Sequence, residues 1–512
     1  MKYLYGAAIQ GIQSFIFQTD KLKEIVGASE LVERICTEFF KNEFDDGAFN
    51  EENKLLSAAG NIKYIFDNEA DCKKIVLEFP LSVMKIAPGI TISQAVVKYS
   101  QGELNEALSL LEEKLKAQRN KVSVPVEIGY MGIGRVRRTG GLAFNESPSP
   151  IGSSEEENIL DKLTIKKINE YRNQNSLFKK ISNNLDLEDR ENDLWNDTDK
   201  LFMRESKSWI AVVHADGNGL GSIIQNLNKN LKEHSDDDVR NAFKSFSQAL
   251  DKATITAAQI AFEKVIKSKK ENGVPYPIRP IILGGDDMTA IVQAELALDY
   301  TVAFLNEFQK ASARELIFLK KDYSITGFEN GISSCAGIAY VKKSYPFHYA
   351  INLAEKLCTE AKYFVKKIVG YQGMVPRSAL SFFKIQDSFI ETDLKSIKQR
   401  SLEAINLSFD YGPYLIGESI NGHADIISLI NKIKTIEDWN SEYKDDANGI
   451  SKLRQWVTET FKDESTADFM LDRMKTVNRQ FIEKIGEIKE LDNKTGKYKS
   501  IVYDLIQLTS LK

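Results

Sequence analysis

The hydrophobic and polar positions of this chain predict the same order of elements twice. Apolar runs with two-residue alternation indicate strands, and runs with apolar residues every three to four positions indicate helices. The second half predicts β-α-α-β-β-α-β-α: strand 208–214, a helix after Gly221, helix 237–267, hairpin 278–292, helix 295–313, strand 333–341 and helix 347–367. The first half predicts nearly the same order: strand 2–9, helix 11–40, hairpin 54–66, helix 69–85, strand 90–99 and helix 103–119. We therefore expect two related α+β units that arose by internal duplication.

Changes in residue pattern predict the domain boundaries. A further β-rich stretch over 123–135 completes a first domain of residues 1–144. Residues 145–207 are polar and charged, which is typical of a connection with some helix. The second domain covers 208–375. After a transitional segment, the charged, helical pattern of 423–512, which shows no hairpin signal, predicts a mainly helical C-terminal domain over 376–512.

The hairpin at 278–292 carries the most informative residues of the chain. Apolar runs enter and leave the turn Gly284-Gly285-Asp286-Asp287. Two adjacent carboxylates repel each other unless a cation lies between them, and hard oxygen ligands at this spacing suit Mg²⁺ or Mn²⁺. A solvated surface turn is the alternative, because Gly and Asp are common turn residues.

Asp216 is expected to lie beside this turn. In a β-α-α-β-β-α-β sheet the first strand neighbours the central hairpin, so three carboxylates converge on a site for two cations, as phosphoryl or nucleotidyl transfer requires. Capping of the following helix is the alternative role of Asp216. Gly217, Gly219 and Gly221 leave backbone N–H groups accessible before a helix, which favours a triphosphate. Asn218 either contacts ribose or phosphate or is an ordinary turn residue.

Composition narrows the class of protein. A net charge of −5 and a pI near 5.8 argue against a protein that coats nucleic acid broadly. The cysteines, at positions 36, 72, 335 and 358, form no C-x-x-C pair and predict no zinc site. Neither a signal peptide nor an apolar run of about 20 residues is apparent, so we expect a cytoplasmic protein without a membrane partner.

The two catalytic motifs resemble those of a known family. Residues 216–221 followed by 284–287 look like the catalytic palm of the large polymerase/cyclase subunit of type III CRISPR complexes, a relative of GGDEF diguanylate cyclases and class III nucleotide cyclases. Residues 11–17, 21–24 and 27–29 resemble the start of that family's first, non-catalytic palm. The resemblance covers both units and the tail. It implies an α+β fold with two ferredoxin-like palm domains and a C-terminal helical domain.

The resemblance also implies a substrate and site residues. Asp216, Asp286 and Asp287 would be the catalytic residues, and with Gly217 they would hold two Mg²⁺ or Mn²⁺ ions. ATP would be converted into a cyclic oligoadenylate by attack of a ribose hydroxyl on an α-phosphate. Guide RNA, an activating target RNA and the other subunits of a type III CRISPR complex would be the partners. The chain could belong to a compact Cmr-like complex or act alone in a related defence system. The implied nucleotide-binding residues are Gly217, Asn218, Gly219, Leu220, Gly221, Gly284, Gly285, Lys362, Gly27, Ala28 and Ser29.

Three departures from the family pattern stand out. The palm pattern begins at Tyr3, so we expect no HD-type nuclease domain and no DNA cleavage. The zinc cysteines common after the first palm are replaced by residues 135–143. The first hairpin has Ala58-Ala59-Gly60-Asn61 without carboxylates and should not bind metal.

Several alternatives stay open. The chain could be a scaffold subunit that binds RNA, protein partners and ATP without chemistry, or a palm enzyme with a variant nucleotide product. A cyclase that uses GTP is disfavoured, because Met288 follows the carboxylates where Phe is usual. Lys362 could be a solvated helix residue, and His214 is interpreted as a packed strand residue. Arg135, Arg137 and Arg138 could meet RNA or a partner subunit, or form an ordinary basic patch.

Overall fold

A computed structural model describes residues 1–45, 48–58, 60–121, 143–144, 160–173, 176–185, 194, 209–271, 274–326, 329–369, 375–386, 393–420, 422–442, 449–492 and 496–511. The predicted β-rich stretch 123–135 and the basic residues Arg135, Arg137 and Arg138 lie outside these ranges. No helix in the described part of the chain is long and apolar enough to cross a bilayer.

The first unit is a four-stranded antiparallel sheet with helices. Its strands are ordered β2-β3-β1-β4, which is the ferredoxin-like order read from the hairpin edge. The predicted single helix 11–40 is divided, because the chain turns between Phe17 and Lys21 and continues through a π-helical segment, Ile35–Phe39. The elements are β1 (Lys2–Gln10), α1 (Ile12–Ile16), α2 (Leu22–Arg34), α3 (Phe40–Asn42), β2 (Lys54–Ala58), β3 (Asn61–Phe66), α4 (Glu69–Ile86), β4 (Thr91–Tyr99) and α5 (Leu104–Arg119).

The described part of the region between the two units contains a short strand pair and two helices. Its described elements are β5 (Ala143–Phe144), β6 (Leu160–Asp161), α6 (Lys162–Asn173) and α7 (Ser176–Ile181). Helix α6 lies along α2, where the buried Lys167 donates to the Phe15 carbonyl over 2.8 Å. Helices α6 and α7 therefore pack against the first unit and also contact the second, in addition to connecting the two units.

The second unit repeats the first sheet and extends it. Its strand order is β13-β11-β10-β7-β9-β8, so the last four strands, β10-β7-β9-β8, have the ferredoxin-like order and two further strands are added at the β10 edge. Strand β11 pairs in parallel with β10. The elements are β7 (Trp209–Gly217), α8 (Leu220–Asn230), α9 (Asp236–Ala261), β8 (Ile278–Gly284), β9 (Asp287–Gln293), α10 (Ala294–Glu315), α11 (Ile317–Tyr323), β10 (Ser334–Lys342), α12 (Phe347–Tyr363) and β11 (Ala379–Lys384).

Burial on both faces of the sheet explains why the sequences of β7 and β10 are largely apolar, without alternating polar positions. Helices cover both faces of the second sheet, and residues 210–213 are fully buried. Central strands covered on both faces lose the polar alternation that an exposed face gives. The α+β class with two palm sheets is confirmed. The second sheet continues past residue 375, the boundary that the sequence predicted, because β11 and β13 join it.

The C-terminal region is mainly helical, as predicted, but it also contains a small sheet. Short strands form the order β12-β15-β14, so the expectation that this region lacks a hairpin is wrong. Two-residue strands are too short to give an alternating pattern. The elements are α13 (Leu394–Leu402), β12 (Leu407–Ser408), β13 (Tyr414–Leu415), α14 (Ile426–Glu442), α15 (Gly449–Thr460), α16 (Glu464–Val477), α17 (Arg479–Ile485), β14 (Glu490–Leu491), β15 (Tyr498–Lys499) and α18 (Val502–Thr509).

Candidate active site

The register of β7 and β9 brings the predicted carboxylates together. Ala215 pairs with Met288, so Asp216 lies at the strand end beside Asp287. Side chains alternate along a strand, so Asp216 and His214 share one face of the sheet, as do Asp287 and Thr289. Residues that are 70 positions apart in sequence therefore meet at one edge of the sheet, as the topology argument predicted.

Two residues of α9 hold the hairpin turn. The Gly285 N–H donates to the Asp251 carboxylate over 3.3 Å, and the buried Thr254 hydroxyl donates to the Gly285 carbonyl. Gly285 has φ +61°, a conformation that glycine adopts without a Cβ clash. Asp251 and Thr254 were missed from the sequence, because only the tertiary packing of α9 shows that they face the turn.

Gly217 allows Asp286 to approach the end of β7. A Cβ on Gly217 would lie 2.9 Å from the Asp286 Cβ and 3.0 Å from its Oδ2. Gly219 begins α8 with φ +79°, whereas a Cβ on Gly221 would meet nothing within 4 Å. The glycines of the motif thus have different roles, and Gly217 is the one that the site needs for space.

The carboxylates are electrostatically strained without a cation. Burial and the charges of Asp287 and Asp216 raise the pKa of Asp286 to about 8. Burial and the charge of Asp216 raise the pKa of Asp287 to about 7. Such elevated carboxylate pKa values are typical of sites where charge is concentrated for a function.

Lys362 reaches this site from α12. Its ammonium group forms an ion pair with Asp216 and donates to the Gly217 carbonyl over 3.0 Å. Lys362 is therefore no solvated surface residue; its side chain is 19% exposed. A phosphate group arriving beside Asp216 would find this cation already in place.

The residues around the turn fit divalent cations. Together with Asp216 and Asp287, His214 offers a third ligand atom, and these atoms all lie within 4.8 Å of one another. Glu355 of α12 adds a nearby negative charge, and its Oε1 is buried without a partner among the described residues. Carboxylate oxygens with an unsatisfied buried oxygen beside them are a donor set that suits Mg²⁺ or Mn²⁺.

His214 is held in its place by β9. Its Nδ1 lies 2.9 Å from the Thr289 hydroxyl oxygen, and burial lowers the pKa of the imidazole to about 4. Asn218, in contrast, is fully buried and turned toward β10. Its amide group donates to the Ser333 hydroxyl over 3.1 Å and to the Cys335 sulfur over 3.3 Å. These bonds favour the structural interpretation of Asn218 over a contact with ribose.

A cavity of about 330 Å³ lies between the two units at this turn. The first unit contributes the segment 11–14 and Ser29, and the second contributes 281–284 and Asp287. The Ser29 hydroxyl donates to the Ile281 carbonyl, which joins the units at the cavity wall. This volume is in the range of small-molecule sites.

The first-unit residues of the predicted pocket separate into two groups. Ser29 lines the cavity, but a Cβ on Gly27 would lie 1.7 Å from the Lys167 carbonyl oxygen. Gly27 therefore allows α2 to approach α6 closely and does not line the cavity, and Ala28 is fully buried. Of the other predicted nucleotide-binding residues, Gly284 lines the cavity, whereas Leu220 begins α8 beside Gly217.

Comparison with protein families identifies the second unit. Residues 209–367 match the model described as Cas10/Cmr2, second palm domain. The second unit is therefore similar to the second palm domain of Cas10/Cmr2 proteins. The resemblance predicted from residues 216–221 and 284–287 is thereby confirmed for this unit, whose matched segment contains the whole carboxylate site. No curated protein matches the chain.

Solved structures extend the likeness in fold from the Cas10/Cmr2 palm to the whole chain. The crystal structure of a Csm1-Csm4 cassette in complex with cA4 has a TM-score of 0.51 at 13% identity, covering 100% of this chain and 69% of that chain. The same cassette with AMPPNP gives 0.51 at 13%, covering 100% and 70%. The apo cassette gives 0.50 at 12%, again covering 100% and 70%. At such identities the matches show a shared fold.

Proposed function

We propose that this chain is a nucleotidyltransferase that converts ATP into a cyclic oligoadenylate-type product in a type III CRISPR-like defence complex. One observation carries the proposal: Asp216, Asp286 and Asp287 meet at the hairpin turn that also borders the cavity between the two palm units. The similarity of the second unit to the second palm domain of Cas10/Cmr2 proteins supports it. The similar Csm1-Csm4 structures were crystallised with cA4 and with AMPPNP, which supports an adenine nucleotide as ligand.

In the proposed reaction a ribose hydroxyl of one ATP attacks the α-phosphate of another. A new O–P bond forms, the bond from the α-phosphorus to the bridging oxygen breaks, pyrophosphate leaves, and the hydroxyl proton passes to solvent. When bound, two Mg²⁺ or Mn²⁺ ions would neutralise the charge that develops on the attacking and leaving oxygens. Asp216, Asp286 and Asp287 would hold those ions.

The chain's own residues would orient the nucleotides. Lys362 would exchange part of its ion pair with Asp216 for a phosphate oxygen and keep its bond to the Gly217 carbonyl. The cavity between the units would exclude water from one nucleotide, with its wall fixed by the Ser29 hydrogen bond to Ile281. Holding both reactants in one geometry supplies a large part of the rate enhancement in such transfers.

The partner proteins are part of the same proposal. The similar Csm1 chains are crystallised with a second subunit, Csm4. This supports assembly of the present chain with further subunits, with guide RNA and with an activating target RNA.

The test is to incubate the purified chain with ATP and Mg²⁺ or Mn²⁺, with and without guide and target RNA, and to analyse the products by mass spectrometry. We expect oligoadenylates from the wild type and none from Asp286→Ala/Asp287→Ala. A matched control is Asp472→Asn, because the Asp472 side chain is 78% exposed on α16. Identical nucleotide profiles for the wild type and the double variant under every condition would contradict the enzyme proposal. If both bind ATP and co-purify with RNA and partner subunits, the scaffold alternative would hold instead.

A further inference from the structure

The face of the sheet that carries the carboxylates also carries His214, whose ring nitrogens can bind a metal ion. His214 precedes Asp216 by two residues on β7, so both side chains project from the same face. One ligand atom each of His214, Asp216 and Asp287 lie within 4.8 Å of one another. Around an ion with bonds of about 2.1 Å, adjacent ligands stand about 3 Å apart and opposite ligands about 4 Å apart. The three groups are therefore close to the spacing of a shared coordination sphere.

The hydrogen bond to Thr289 decides which nitrogen is available. Nδ1 lies 2.9 Å from the Thr289 hydroxyl oxygen, and the imidazole is only 9% exposed. A ligating histidine normally uses one ring nitrogen for the metal and holds the other in a hydrogen bond that fixes the ring. In the tautomer whose Nδ1–H donates to Thr289, Nε2 carries the lone pair that is available to a cation.

We propose that His214 is a direct ligand of one of the divalent cations in the palm, giving that position a mixed nitrogen and oxygen donor set. The proposal rests on the proposed function only in that it places a cation at Asp216 and Asp287. An imidazole suits transition metals, whereas Mg²⁺ and Ca²⁺ prefer oxygen alone. The mixed donor set therefore favours a transition metal over Mg²⁺, and Mn²⁺ is the transition metal that also suits the carboxylate ligands.

A cation that binds at this position must compete with Lys362 for Asp216. Its ammonium group forms an ion pair with Asp216, so an arriving cation competes with it for one carboxylate. The bond from Lys362 to the Gly217 carbonyl gives the ammonium group a second acceptor at 3.0 Å. The exchange therefore does not leave the lysine without a partner.

Electron spin-echo spectroscopy of bound Mn²⁺ tests the assignment directly. The full chain is loaded with Mn²⁺ without nucleotide, once with natural histidine and once with only its histidines labelled with ¹⁵N. We expect ¹⁴N modulation from the natural protein and its replacement by the ¹⁵N pattern in the labelled protein. This measurement needs no substitution, so a variant that fails to fold cannot obscure it.

Variants then assign the nitrogen to one residue. His214→Gln should lose the modulation and reduce the preference for Mn²⁺ over Mg²⁺, measured by titration calorimetry, by about tenfold or more. His348→Gln, at an exposed position on α12, should change neither. Thr289→Val keeps the ligand but removes its hydrogen bond, and it should weaken Mn²⁺ binding about tenfold.

The outcomes separate the two proposals. If Mn²⁺ binds, is lost in Asp286→Ala/Asp287→Ala and shows no histidine nitrogen, His214 is a packed residue and the proposed enzyme function is unaffected. If no Mn²⁺ or Mg²⁺ binds to the wild type with or without ATP, the metal-dependent function itself is wrong.

Discussion

Asp286→Asn should stabilise the protein in the absence of divalent cations. The substitution keeps the shape of the side chain and removes one of the charges crowded at the turn. A pKa of about 8 in place of the ordinary 3.8 corresponds to a cost of at most about 6 kcal/mol for the ionised form. Because water and Lys362 reorganise around the turn and reduce this cost, we expect Asp286→Asn to raise the free energy of unfolding by about 2–3 kcal/mol at pH 8.

The sign of the pH dependence follows from linkage. The folded protein holds the Asp286 proton more tightly than the unfolded chain does, since its pKa is raised. This contribution to stability is fully present below about pH 4 and is lost as the pH rises toward 8. The advantage of Asp286→Asn should thus be small at pH 5 and complete near pH 8.

Differential scanning calorimetry in a chelator measures this effect. For a cooperative unit of 150–250 residues a gain of 2–3 kcal/mol raises the Tm by roughly 5–10 °C. Saturating Mn²⁺ at pH 8 should reverse the order, because the wild type gains binding energy that the variant has lost. Asp472→Asn, the exposed control, should behave as the wild type. If Asp286→Asn is no more stable than the wild type at pH 8 without metal, the carboxylates are not electrostatically strained and the reasoning is wrong.

Two further substitutions test other parts of the site. Gly217→Ala should displace Asp286, because the new Cβ would lie 2.9 Å from the Asp286 Cβ. We therefore expect it to weaken Mn²⁺ binding at least tenfold, measured by calorimetry. The control Gly221→Ala, with open space around the new Cβ, should bind Mn²⁺ as the wild type does. Lys362→Met should weaken ATP binding by about 1.5–3 kcal/mol, measured by fluorescence titration with a labelled nucleotide, since it removes a charge-assisted hydrogen bond to phosphate. Lys356→Met, on the same helix, is its control, and equal affinities of the two variants would remove Lys362 from the nucleotide site.

The parts of the fold that could be predicted from the sequence are those with a repeated order of elements or a regular pattern of apolar and polar positions. Both palm units, their hairpins and the neighbouring positions of Asp216 and Asp287 follow from strand order alone. Strand β11 was not predicted as part of the second sheet, because a six-residue, mostly apolar stretch has no feature that tells which sheet it joins. The break in the first long helix lies at the polar residues 18–21, but Phe15 and Leu22 on either side are spaced by two helical turns, and this spacing hides the change of direction.

Apart from Lys362, which the family resemblance indicated, the residues of the candidate site were predicted where they lie in motifs and missed where they lie on helices. Asp251 and Thr254 support the turn from α9, and Glu355 faces the carboxylates from α12. In sequence they are ordinary helix residues, since nothing in a helical period shows what lies opposite a given face. Gly27 was given a role at the pocket, but its close approach to Lys167 is a packing requirement between two helices.

Helix α12 has a second set of partners at its C-terminal end. Glu360 accepts hydrogen bonds from Ser381 of β11 over 2.6 Å and from Lys398 of α13 over 2.7 Å. Lys398 also donates to Asp410 over 2.8 Å, so a partly buried chain of charges connects the helix to the C-terminal region. Lys362 lies two residues beyond Glu360 on the same rigid turn. Through Lys398 and Glu360, the C-terminal region therefore holds the end of the helix from which Lys362 reaches Asp216.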